Sequence, residues 1–94
     1  MPSEPFTPQA AQRLARTILD GGRTVFSGHA LDAMKDDDLS TPDAINTIRA
    51  GAYQPAEFVS GSWRYRIQTQ RMTFVIVFRS ETELVVVTGW RHRR

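Results

Sequence analysis

The spacing of apolar positions changes part-way along the chain, and that change divides the fold in two. After Thr7-Pro8, Ala11, Leu14, Ala15 and Ile18 recur at helical spacing. Thr7 is a capping residue, Pro8 suits the first helical position, and Phe6 is placed to pack back as a staple. Gly21-Gly22 ends this helix. Arg23 to Phe26 reads as a short extended piece. Ser27 then caps a second helix that contains His29 and turns Ala30, Leu31 and Met34 inward, and the Asp36-Asp37-Asp38 run ends it. Ser40, Thr41, Pro42 and Asp43 form a capping-box pattern for a third helix. Ala44, Ile45 and Ile48 make its apolar side, and Gly51 is its stop.

From Tyr53 the period falls to two, and β-branched and aromatic residues dominate three segments: Trp63 to Gln70, Met72 to Arg79 and Leu84 to Trp90. A weaker strand is expected over 57–60. The connections are too short for crossover helices, so the expected sheet is an antiparallel meander. The predicted fold class is α+β, with two to three N-terminal helices on one face of a three- to four-stranded antiparallel sheet. One domain spans residues 6–91, with 1–5 and 92–94 as flexible tails.

Register follows from the turns. A tight hairpin at Gln70 and Arg71 pairs Ile67 with Phe74, Tyr65 with Ile76 and Trp63 with Phe78. These large apolar side chains are expected beneath the helices, together with Val85 and Val87. The opposite face then carries Arg64, Arg66 and Gln68 against Val77, Val75 and Thr73. With a turn over 80–83, Arg79, Leu84, Val86, Thr88 and Trp90 join that open face. Its rows read Arg64-Val77-Val86, Arg66-Val75-Thr88 and Gln68-Thr73-Trp90.

Charge sharpens this picture. Residues 1–62 hold five basic side chains against eight acidic ones, whereas residues 63–94 hold seven arginines against Glu81 and Glu83. The sheet half is therefore the anion-binding half. Eleven of the twelve basic residues are arginine, which grips phosphate bidentately and stacks on bases. GC-rich coding accounts for the same bias without function. Guanidiniums, a hydroxyl, an amide and an indole around an apolar floor suit a phosphate with a stacked base. The bland alternative is a solvated outer face whose charges prevent edge pairing.

The remaining candidates change little. A histidine in the first helical turn feels the positive end of the dipole, which favours its neutral, basic form; a structural histidine is the competing reading for His29. The three consecutive aspartates diverge in direction, so no metal site is expected and a solvated turn is preferred. His92 is expected only to be solvated. A chain of 94 residues without cysteine must hold one core by packing alone. Met1 to Pro8 is polar and proline-punctuated, and no apolar run reaches the roughly 20 residues of a membrane span. The expectation is a cytoplasmic protein with no membrane segment.

The stretch FSGHALDAM, then LSTPDAINTIRAG, WRYRI and the terminal VVVTGWR resemble, as an ordered set over residues 25–91, a domain-of-unknown-function family. That family is grouped with the RelE-like toxins of the barnase, EndoU, colicin and RelE nuclease (BECR) fold. The resemblance implies metal-independent, cofactor-free RNA cleavage by a toxin that a cognate antitoxin protein holds inactive. It places the helix histidine at His29, the strand arginines at Arg64 and Arg66, and the last-strand hydroxyl at Thr88. The chain departs from the family at Ala33 and Asp37, where relatives commonly carry arginine. The expected reaction is attack of an RNA 2′-hydroxyl on the adjacent phosphorus. His29 moves the proton, Arg64 and Arg66 hold the phosphate, Thr88 orients an oxygen, and Gln68, Arg79, Trp90 and Arg91 hold flanking nucleotides. The rival expectation is a non-catalytic adaptor that binds RNA or an acidic protein through the same face.

Overall fold

A computed structural model describes residues 3–93; Met1, Pro2 and Arg94, part of the expected tails, lie outside the described residues. The chain runs α1 (Pro8–Gly21), β1 (Arg23–Phe26), α2 (Gly28–Asp36), α3 (Thr41–Ala50), β2 (Ala52–Tyr53), β3 (Glu57–Val59), β4 (Ser62–Gln68), β5 (Met72–Phe78) and β6 (Glu83–Arg91). The fold is α+β: three helices and, among the described residues, six strands in a mostly antiparallel sheet ordered β1-β6-β5-β4-β2, with β3 also on β4. The expectation of three or four strands is corrected in a specific way. β1 lies between helices in sequence and pairs in parallel with β6, Val25 opposite Val85. The helices therefore do not all precede the sheet.

The helix starts form as the capping residues dictate. Thr7 and Ser27 accept the amides of Ala10 and Ala30 at 3.2 and 3.0 Å. Ser40 and Asp43 complete a reciprocal capping box at the start of α3. The Ser40 amide and hydroxyl bonds hold the Asp43 carboxyl below its ordinary pKa. Its contribution is therefore present above the unfolded carboxylate value of about 3.9 and is lost as pH falls through the lower folded value. Ser40→Ala is expected to cost about 1 kcal/mol, and Asp43→Asn to flatten the acid limb of a melting-temperature curve against pH. An acid limb in Asp43→Asn as steep as the parent's would contradict this.

Ala11, Ala15, Ile18, Ala30, Met34, Ala44 and Ile48 from the helices meet Tyr65, Ile67, Phe74, Ile76, Phe78, Leu84 and Val86 from the sheet in one core. Leu31, expected inward, is 52% exposed, because Ala30 and Met34, four apart, already define the buried stripe of α2. Tyr65 is fully buried. Its hydroxyl accepts the Phe6 amide at 3.0 Å and donates to the Glu4 carboxylate at 2.8 Å. Burial pushes its pKa up to about 12. Phe6 packs on Tyr65 and Phe78, so the segment before α1 is pinned to the sheet.

Turns and one bulge set the register. The hairpin at Gln70 and Arg71 pairs Ile67 with Phe74 and Tyr65 with Ile76, as the pattern predicts. Ser60 and Gly61 both have positive φ, 50° and 84°, and close the β3–β4 hairpin, a two-residue turn for which glycine is suited. Between β5 and β6, Val75 pairs with Thr88 but Ile76 pairs with Val86, leaving Val87 as an extra residue. This bulge reverses the facing of β6 on either side of it. Leu84 and Val86, expected on the open face, therefore point into the helix-side core. Val85, expected under the helices, pairs with Val77 and lies outside that core. The Ser27 hydroxyl donates to the Val87 carbonyl at 3.2 Å, tying the start of α2 to the bulge.

Candidate phosphate-binding concavity on the open face

On the sheet face away from the helices, β3, β4, β5 and β6 enclose a shallow concavity of about 230 Å³ lined by Glu57, Val59, Arg64, Arg66, Val75, Thr88 and Trp90. Strand alternation explains the membership. Arg64 and Arg66 flank Tyr65, whose side chain is in the core. Val75 sits across from both Arg66 and Thr88. Glu57 lies directly opposite Arg64 in the β3–β4 pair. Thr88 and Trp90 reach this face because the Val87 bulge precedes them.

The two guanidiniums differ in their surroundings. Arg66 faces Glu57 at 3.6 Å, with both side chains about half exposed, and its guanidinium carbon stands 5.8 Å from the Trp90 ring centroid. An ion pair this exposed is worth well under about 1 kcal/mol, so an incoming anion displaces it readily. Arg64 has no ion-pair partner among the described residues, and its Nε is buried without a hydrogen-bond acceptor. A buried donor lacking an acceptor is costly, by roughly 1–3 kcal/mol. Without a competing ion pair among the described residues, Arg64 is freer than Arg66 to meet an anion through the rest of its guanidinium.

The structure thus brings Arg64, Arg66, Thr88 and Trp90 together. Gln68 lies on the same face, in the row Gln68-Thr73-Trp90, but outside the concavity. Arg79 stands beyond the end of β5 and pairs with Glu83 at 3.7 Å. Arg91 is turned away from the open face: its Nε and Nη2 donate to the carbonyls of Asp37 and Asp38 at 3.2 and 2.9 Å, where a cation suits the end of α2. His29 is exposed on the second residue of α2, outside the concavity.

Three residues matter more than the sequence pattern suggests. Asp37 is no simple solvated turn: its carboxylate accepts the Arg91 amide at 2.7 Å and pairs with Arg93 at 2.9 Å, anchoring the strand that carries Trp90. His92 continues the open-face row of β6. Its Nδ1 lies 3.1 Å from the Gln70 carbonyl, which can only accept, so Nδ1 carries hydrogen. In the neutral ring, Nε2 then accepts from the Thr73 hydroxyl 2.6 Å away. Glu57 supplies the carboxylate of the concavity; the only signal for it in sequence is its place in a weak strand before a glycine turn.

The chain matches no protein-family model, no curated protein and no solved structure. Among the described residues no three histidine, aspartate or glutamate side chains gather as a metal-holding group, and no helix is long and apolar enough to cross a membrane.

Proposed function

We propose that the open face holds an RNA phosphodiester in this concavity and that the chain is a metal-independent endoribonuclease of the RelE-like (BECR) kind, a toxin restrained by a cognate antitoxin protein in the cytoplasm. The observation that carries the binding step is that Arg64, with no ion-pair partner among the described residues, and the weakly engaged Arg66 line one concavity. The nuclease step rests on the resemblance of the chain to that family. In the reaction, the RNA 2′-hydroxyl gives its proton to water as its oxygen attacks phosphorus, the P–O5′ bond breaks, and O5′ takes a proton from water, leaving a cyclic phosphate and a free 5′-hydroxyl. Arg64 and Arg66 offset the charge that develops on the phosphoryl oxygens, the Thr88 hydroxyl orients one of them, and Trp90 stacks a neighbouring base. His29 lies outside the concavity and has no part in this scheme.

That placement favours one second reading, an adaptor that binds RNA through the same arginines without cutting it. Incubating labelled RNA with the protein in excess EDTA separates the two. Cleavage that disappears in Arg66→Ala supports the nuclease, and retention of intact RNA supports the adaptor.

A further inference from the structure

We infer that Glu57 sets the charge selectivity of the concavity, so that it takes a singly charged internal phosphodiester in preference to a doubly charged terminal phosphomonoester. This rests on the phosphodiester reading above and specifies which phosphate class the site admits. Two guanidiniums alone would present a charge of +2. Glu57, fixed across the strand pair from Arg64 and 3.6 Å from Arg66, lowers the lining charge to +1.

The consequence follows from two different dependences on ligand charge. Attraction to the site grows in proportion to that charge, whereas the cost of stripping water from the ligand grows as its square. The best-matched ligand charge therefore tracks the charge of the site. A +2 site favours a phosphomonoester, which carries nearly −2 above its second pKa of about 6. A +1 site favours the diester. Glu57 is built into β3 and holds this setting without any bound partner. Repelling the wrong ligand is as effective a route to specificity as attracting the right one.

The test compares two ligands that differ by one methyl group and hence one charge: 2′-O-methyluridine 3′-(methyl phosphate) and 2′-O-methyluridine 3′-monophosphate. Neither has a free 2′-hydroxyl, so neither is cut. Their affinities are read at pH 7.5 and low salt from the Trp90 indole N–H signal in NMR titrations. Because the repulsion from Glu57 scales with ligand charge, the gain in Glu57→Gln for the monoester should be the square of the gain for the diester. We expect about threefold for the diester and about tenfold for the monoester. Asp20→Asn, which changes the net charge equally at the distant Asp20–Arg49 pair, should leave the ratio of the two affinities unchanged. Equal gains for both ligands in Glu57→Gln, no gain for either, or the same ratio change in Asp20→Asn would overturn the assignment while leaving phosphodiester binding intact. Failure of both ligands to move Trp90 in both proteins would remove the binding reading and this inference together.

Discussion

Gly89→Val should lower stability by about 3 kcal/mol, near the upper end for overpacking a closed core, and the melting temperature by roughly 12–24 °C for a domain of this size. Gly89 is buried in β6 opposite Phe74. A Cβ there would overlap the Phe74 ring, which is itself fully buried between the sheet and the helices. The ring has no empty space to enter, so either it leaves its rotamer or β6 moves away from β5. Gly89→Ala should show the same effect at smaller size. Because Gly89 lies between Thr88 and Trp90, a displaced β6 also misplaces two residues of the concavity. A valine variant that melts within about 3 °C of the parent would mean that Phe74 does not pack on β6 in this way.

The second large effect concerns activity. Arg66→Ala should reduce RNA cleavage by about 10²- to 10³-fold, the usual cost of losing one preorganised group that stabilises developing charge. Arg64→Ala should cost at least as much, since its guanidinium has no competing ion pair among the described residues. Both variants should remain folded, because Arg66 forgoes only an exposed pair with Glu57 and its contact with the Trp90 ring, and Arg64 has no ion pair to lose among the described residues. His29→Gln serves as the contrast. It removes the base on an exposed helix start outside the concavity, so cleavage should stay within about threefold of the parent. A loss of 10²-fold or more in a well-folded His29→Gln protein, the range for general acid–base groups, would move proton transfer to His29 and place RNA across the sheet edge.

The parts of this structure that can be read from sequence are those set by neighbours along the chain. The caps at Thr7, Ser27 and Ser40 act within three residues. The two-residue turn at Gln70-Arg71 fixes the β4–β5 register, and with it the placing of Arg64 and Arg66 opposite the core. What escapes a sequence reading depends on distant partners. β1 is four residues long and pairs in parallel with a strand some sixty positions later, so no local turn announces it. The Val87 bulge falls in an unbroken Val-Val-Val run with no glycine to mark it, yet it decides that Leu84 and Val86 face inward while Thr88 and Trp90 face outward. Arg91 resembles a phosphate ligand in a basic tail, and only the approach of Asp37 and Asp38 from α2 shows that it is already engaged. The separation of His29 from the arginines is likewise a matter of which sheet face each element occupies.

The salt dependence of single-stranded RNA binding tests the central claim most directly. Each phosphate held by a guanidinium contributes roughly 0.7 to the slope of log affinity against log salt for a single strand. Because Arg64 and Arg66 together neutralise the one phosphate held in the concavity, the Arg64→Ala/Arg66→Ala protein should bind more weakly and with a slope shallower by about 0.7 than the parent's. A double variant with the parent's slope and affinity would contradict the account, because RNA would then be held elsewhere on the protein.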